Sequence, residues 1–434
     1  MPAVGQGQVL PDDRLTLADA AERALAGHPS VRAIQASSDQ AHSAAAAASA
    51  AWLPSITLTA SAMHHDQPML VTPIHGLTPG ETLPFERTLV QGAATMSYSL
   101  FDGGARRARI LHAHARADAA DAVVDESEQL LVARVATAYL QVLTRHQVLD
   151  AHDRRRAALE AELSRARQRY DVGRAPQLEV LRVEAALASA RAERVRLAEA
   201  LDLSEREVGR LTGAAEDDTR AGRLVPVHLA DSLLPPRAEL LRRARSASPT
   251  MARAEREVAA ADAGVAVAEG ARWPELRLNA TYYQRGSVDT RSWGEWSAGT
   301  LLSFPLFTGG AASAEVARTR AGRRAAEEQL HLAELELERE VDRARSAVEE
   351  ARARKASLES AAATLVEVTR IEKLSLDAGS GTQTDYLAAE ANLLAARASL
   401  VEATMTELTA WTELARVTGE LSVPWLRRVM EAKR

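Results

Sequence analysis

The chain has 434 residues, enough for a large core or for two to three ordinary domains. It contains no cysteine, which excludes disulfides, thiolate metal sites, a cysteine nucleophile and a lipid-acceptor thiol. The net charge is −6 on 53 basic and 59 acidic residues, and no basic block offers a footprint for nucleic acid.

Residues 1–13 read as a tail, and Met1 to Leu10 lacks the basic and apolar regions of a secretory signal. That leaves a trimmed or re-started precursor, or a cytosolic protein. Leu15 to Ala26 has a helical apolar face, and His28-Pro29 breaks it because proline disfavours helix in the residue before it. Ser30 to Ala51 reads as a second, alanine-rich helix that ends at Trp52-Leu53-Pro54. In 55–65 the apolar Ile56, Leu58, Ala60 and Ala62 alternate with Ser and Thr, which predicts a strand. Residues 66–88, with Pro68, Pro73, Pro79 and Pro84, read as a long exposed loop. A second strand follows at 89–101, with Val90, Ala94, Met96 and Tyr98 on its apolar face. Phe101-Asp102-Gly103-Gly104 then forms a glycine joint into a helix of roughly 66 residues, Ala105 to Tyr170, about 100 Å long. Val172-Gly173-Arg174-Ala175-Pro176 is a tight turn, and Gln177 to Leu211 is the returning helix, closed by Thr212-Gly213. Residues 214–237 form an irregular connector. No stretch supplies a transmembrane helix: the longest charge-poor run, Ala41 to Met63, is rich in Ala and Ser and broken by Pro54.

The rest of the chain, 238–420, repeats this plan before a C-terminal tail at 421–434. Pro249 and Pro274 lie 220 residues after Pro29 and Pro54. Phe307, Gly379 and Thr418-Gly419 lie 206 residues after Phe101, Gly173 and Thr212-Gly213. Strands are expected at 275–284, with Leu276, Leu278, Ala280 and Tyr282 apolar, and at 294–307, with Ala298, Leu302 and Phe304 apolar. Phe307-Thr308-Gly309-Gly310 is the second joint, leading into a helical hairpin at 311–418. Two constant offsets over nearly the whole chain mark a tandem duplication, too long to be a solenoid repeat. The long helices carry apolar residues in steps of seven, such as Leu337, Ala344 and Ala351, or Leu394, Val401 and Leu408, which argues left-handed coiled-coil packing.

Each half thus supplies two strands with one apolar face. Eleven of the sixteen aromatic residues lie in 52–101 or 273–307, flanking those strands as interfacial girdles would. Four strands cannot close a barrel, and open edges cannot face lipid, so either the sheet is small and soluble or several chains pool their strands.

In their order, and repeated, these motifs resemble the TolC-like outer-membrane channels of efflux and type I secretion. The residues that carry the likeness are Leu15-Thr16-Leu17-Ala18-Asp19-Ala20, Trp52-Leu53-Pro54, Leu100-Phe101-Asp102-Gly103-Gly104 and Tyr170-Asp171-Val172-Gly173, with their second copies, over about 14–420. The resemblance implies a mainly α protein with a small β part. Long antiparallel coiled-coil helices would form an α-barrel tunnel in the periplasm. Four strands per chain would join a trimeric twelve-stranded transmembrane β-barrel in the outer membrane, facing lipid. The partners it implies are two further copies of the chain, a periplasmic adaptor (membrane fusion) protein and an inner-membrane pump of RND, ABC or MFS type. The cargo would be small molecules, drugs, metals or proteins. No cofactor, catalytic residue or metal ligand is implied.

Family members place acidic residues six positions after the turn glycines, at the periplasmic mouth. Those positions are Glu179 and Asp385 in this chain; a second ring aspartate would fall at Ala388 and is absent. Gly173, Arg174 and Gly379 resemble the adaptor-contact turns. The family often has Asn before the first Pro of each copy, where this chain has His28 and Ser248. Each residue also has a plainer role. Asp385 and Glu179 suit the first turn of a helix as solvated acids favoured by its dipole. Gly173 and Gly379 suit the turn geometry itself. His112 and His114 are two apart and do not share a helix face. No nucleophile–base pair or phosphate loop is visible, so an enzyme is not expected. Two functions stay open: an outer-membrane exit duct, or a soluble coiled-coil scaffold, which a mean hydropathy of −0.20 permits.

Overall fold

A computed structural model describes residues 14–71, 80, 83–230, 233–287 and 292–431. The expected tail 1–13 lies outside the described residues, as do 72–79 and 81–82 of the expected loop between the first two strands. The elements follow one another as α1 (Leu17–Gly27), α2 (Pro29–Ser49), β1 (Ser55–Leu70), β2 (Phe85–Phe101), α3 (Ala105–Asp171) and α4 (Gln177–Thr212). The second copy supplies α5 (Arg237–Ala247), α6 (Pro249–Gly270), β3 (Glu275–Ser287), β4 (Trp293–Ser303), α7 (Ala311–Asp377) and α8 (Gln383–Val417), and a further helix, α9 (Val423–Val429), follows. No described helix is long and apolar enough to cross a membrane.

The four strands form one antiparallel sheet in the order β1-β2-β3-β4. Its register carries the duplication. Shifting β1 by 220 residues and β2 by 206 turns Ser55↔Ser97 into Glu275↔Ser303, Thr59↔Ala93 into Asn279↔Gly299, and Met63↔Leu89 into Tyr283↔Glu295. All six pairs occur in the sheet. Strand ends differ from the sequence expectation. β1 runs on to Leu70 and β2 starts at Phe85, because hairpin pairing resumes past an irregularity between His64 and Met69. β4 stops at Ser303, short of 307: Pro305 has no N–H to give to a ladder.

By its contacts the chain divides into two units. One comprises Ser37–Asp121 and Arg253–His331, with the sheet. Within it α2 meets α3 through Ser38 Oγ, which donates to Asp121 Oδ1 at 2.5 Å, and α3 meets α6 through His112 Nδ1 and Ala260 O at 2.7 Å. His114 Nε2 lies 3.2 Å from Ser49 Oγ, so both histidines serve helix pairing.

The other unit comprises Met1–Ala36, Ala122–Ala252 and Leu332–Arg434. Heptad positions fill its interior: Leu131, Val135, Ala138, Val142 and Leu159 on α3, and Leu337, Val341, Ala344, Val348 and Ala351 on α7, are all buried. The connector is less irregular than its composition suggests. Two 3-10 turns, Glu216–Thr219 and Ala221–Arg223, lead to Leu224, which bridges in parallel to Leu15. The Tyr139 hydroxyl, wholly buried, is placed to donate to Leu15 O (2.7 Å) and Val225 O (2.8 Å), tying both segments to α3. Within 421–431, expected as part of a tail, Val423–Val429 instead form α9. Leu421, Trp425, Leu426 and Met430 are buried, and Glu431 Oε1 accepts from Ala18 N at 2.7 Å. The segment is too short for periodicity to separate it from a tail.

Candidate functional site

Paired residues in an antiparallel sheet share a face, so the register alone sorts the side chains. One face carries the rows Ile56–Met96–Ala280–Ala298 and Leu58–Ala94–Tyr282–Trp296, with Tyr98–Leu278–Thr300 beside them. The other carries Ser55–Ser97–Asn279–Gly299 and Thr57–Thr95–Thr281–Ser297. The apolar sets expected from alternation therefore fall on one side of one sheet, apart from Phe304, which lies just past the end of β4. In the single chain that side is bare: Ile56 is 74% and Leu58 79% exposed. On the polar face the rows farther from the joints grow bulky: Thr59–Ala93–Tyr283–Glu295, then Ser61–Gln91–Arg285–Trp293. There Arg285 sits over the Tyr283 ring at 5.6 Å and within 4.0 Å of Glu295. The sequence reading missed this group, because alternation separates apolar from polar and does not rank sizes within the polar set.

The two strand-to-helix joints are built alike. Asp102 caps α3: its Oδ2 accepts from Arg106 N at 2.6 Å and from Arg109 Nη2 at 2.9 Å. Thr308, the equivalent residue, accepts from Ala312 N at 3.3 Å. Gly103 and Gly104 have φ of +64° and +84°, and Gly309 and Gly310 of +60° and +87°. The packing differs. A Cβ on Gly103 would lie 2.5 Å from Gly270 O and from Trp273 Cβ, whereas one on Gly309 would meet nothing within 4 Å. Phe101 and Phe307 are exposed, 47% and 89%. Arg106, also missed from sequence, locks the first joint. Its guanidinium lies 4.2 Å from the Trp52 ring and 5.5 Å from that of Tyr98, and donates to Ser99 O at 2.8 Å.

At the far end of the long hairpins, Gly173 (φ +71°) and Gly379 (φ +77°) take the left-handed turn positions, and Arg174 is exposed beside the first. Asp385 lies exposed in the first turn of α8. Its N–H donates to Thr382 Oγ1 at 3.2 Å, and the Thr382 hydroxyl donates to Asp385 Oδ2 at 2.6 Å. Glu179 is drawn into a network instead. Arg169 Nη2 reaches Glu179 Oε2 at 3.5 Å, the buried Glu162 at 3.4 Å and Gln383 Oε1 at 3.3 Å. Arg182 Nη1 donates to Thr384 Oγ1 at 2.6 Å. These contacts bring the two hairpin ends together, while Asp385 and Glu179 have no contact with each other among those observed. Next to Asp385, Tyr386 is buried and donates to Glu390 at 2.9 Å; burial first, then the Glu390 charge, pushes its phenol above the usual range. Arg169 and Arg182 carried no sequence signal that sets them apart from the many other arginines on these helices.

The outer membrane efflux protein family matches residues 20–214 and 240–420 of the chain. The chain is 25% identical over 374 residues to the outer membrane efflux protein BepC of Brucella suis, covering 82% of this chain and 78% of BepC. Among solved structures it is similar to the outer membrane protein VceC of Vibrio cholerae, with a TM-score of 0.77, 21% identity, and 93% and 96% of the two chains covered. The CmeC outer membrane channel of Campylobacter jejuni aligns with a TM-score of 0.80 at 14% identity, over 93% and 85%. The family match and the likeness to BepC decide for the duct over the soluble scaffold. A duplicated chain with one two-faced sheet and two long helical hairpins, matched over both copies, belongs to the outer membrane efflux protein family: it is an efflux channel of the outer membrane with its helical part in the periplasm.

Proposed function

We propose that three copies of this chain pool their strands into one closed barrel and their helices into one tunnel. Through that duct an inner-membrane pump and a periplasmic adaptor would export their substrate. The observation that carries the reading is the four-stranded sheet with β1 and β4 at its two edges, one apolar face and one polar face. Free N–H and C=O groups on those edges cannot sit in hydrocarbon, and closure onto further copies removes both edges. The apolar rows then meet lipid and the polar rows line water. The repeats 14–213 and 238–420 act as equivalent building blocks joined by 214–237, so three chains give six similar sectors. The hairpin ends around Gly173, Arg174 and Gly379 are the surfaces offered to the adaptor. Asp385, repeated threefold, forms a single acidic ring at the mouth; Glu179, held by Arg169, contributes less charge to it.

Extraction from outer membranes in mild detergent, followed by light scattering and planar-bilayer recording, tests this. The expected particle has three times the 46.7 kDa chain mass and conducts ions. A stable, water-soluble monomer would overturn the reading.

A further inference from the structure

The duplication also assigns the seam between chains, which no single chain contains. It rests on the trimeric reading above. In the sheet, β2 of the first copy pairs with β3 of the second, for instance Ser97↔Asn279, Thr95↔Thr281, Met96↔Ala280 and Tyr98↔Leu278. Moving β2 on by 206 residues gives β4, and moving β3 back by 220 gives β1; the same two offsets convert the β1–β2 register into the β3–β4 register without a slip. We propose that the edge strand β4 pairs with β1 of the next chain in the register this operation dictates: Ser303 opposite the partner subunit's Thr59, and Leu301 opposite the partner subunit's Ser61.

The faces agree with this register. Leu302 falls opposite the partner subunit's Ala60 and Phe304 opposite the partner subunit's Leu58, so apolar meets apolar. A slip of one residue would set polar side chains against apolar ones along the whole seam. Leu302 (65%), Phe304 (51%) and Leu58 (79%) are exposed in the single chain, as seam-flanking residues on a lipid face would be.

The joints give a second, independent observation. The turn at Gly103 is covered by Gly270 and Trp273 at the end of α6, whereas the turn at Gly309 is open. Moved back by 220, Gly270 and Trp273 become Ala50 and Leu53, at the end of the helical segment before β1. Leu53 is 70% exposed and Phe307 89%, with no cover in their own chain. The next chain's Ala50–Leu53 segment therefore closes the open joint, as α6 closes the first one.

The absence of cysteine makes the test clean. In the full-length trimer, Ser303→Cys combined with Thr59→Cys is oxidised and run without reductant. Within one chain the row of Thr59 reaches β4 at Glu295, three strands and about 14 Å across the sheet, and Ser303 is displaced still further along β4; that is too far for a disulfide, so any bridge joins two chains. The register predicts conversion of monomer to a covalent trimer for this pair and for Leu301→Cys with Ser61→Cys. Ser303→Cys with Thr57→Cys or with Ser61→Cys should cross-link poorly. Ser97→Cys with Asn279→Cys serves as the intrachain reference. Preferential cross-linking at a pair displaced by two residues, or none at all in a particle of trimer mass, overturns the register and leaves the trimer standing. A monomer by light scattering overturns both.

Discussion

At the scale of single residues, two glycines in one turn do different work. Gly103 needs a positive φ and also has backbone and a tryptophan Cβ where its own Cβ would be; Gly104 needs only the positive φ. Gly104→Ala should cost about 1–2 kcal/mol from the left-handed backbone alone. Gly103→Ala should add overpacking of about 1–3 kcal/mol. The thermal midpoint of the sheet signal, followed by circular dichroism, should fall further for Gly103→Ala; equal losses would mean that α6 does not press on the joint. Asp385 poses a sharper choice, because its contacts with Thr382 give it a capping role beside any role in the pore. Asparagine keeps the capping geometry and removes the charge. Asp385→Asn should therefore lower cation selectivity in single-channel recordings and weaken block by multivalent cations, with the trimer intact. Unchanged selectivity would leave Asp385 as a helix-start residue only. The sequence marked this position by its distance from the turn glycine, but the arginines that tie the tips, Arg169 and Arg182, were invisible in helices so rich in Arg and Glu.

Elements were legible where period and length agreed. The long helices came within a residue or so of their observed ends, because heptads, glycine turns and proline breaks all point to the same boundaries. The strands were legible by face and less so by length, since pairing partners far apart in sequence decide where a strand stops. The facing gives a direct test. Leu58 and Thr57 are neighbours on opposite sides of β1. Leu58→Arg should cost roughly 2–4 kcal/mol if it lies near mid-bilayer, while Thr57→Arg, facing water, should be tolerated. Equal yields of heat-stable trimer in the outer membrane would mean that neither side meets lipid, and a greater loss for Thr57→Arg would mean that the faces are reversed. Helix α9 was not legible, as seven residues hold too few turns for a period. Its burial makes a prediction of its own: Leu426, with 0% exposure, lies on a helix that packs against α1, so Leu426→Ala should destabilise by about 2–5 kcal/mol in denaturant melts. An unaffected midpoint would mean that the segment is only loosely attached.

At the scale of the whole molecule, the chain behaves as one plan written twice. The offsets seen in its sequence reappear as a hydrogen-bond register, so the duplication is a property of the folded sheet as well as of the sequence. What differs between the copies sits at their ends: the covered joint against the open one, the paired strand β3 against the edge strand β1. If the copies are interchangeable building blocks, their order along the chain should not matter. The ends of the described chain permit that test, because Ala18 N and Glu431 Oε1 are 2.7 Å apart, and a short flexible linker can join 431 to 14. New termini can be opened beside Leu233, which is 93% exposed. The resulting permutant begins with the copy that holds β3 and β4 and ends with the one that holds β1 and β2. It keeps every buried contact of the connector, including the bridge between Leu15 and Leu224. The β2–β3 hydrogen bonds are also kept, although β3 now precedes β2. We expect it to assemble into trimers of unchanged mass by light scattering and to conduct as the parent does in planar bilayers. Monomers from a well-folded permutant would show that the covalent order of the copies is itself required for closure, and the equivalence of the two repeats would then be one of shape alone.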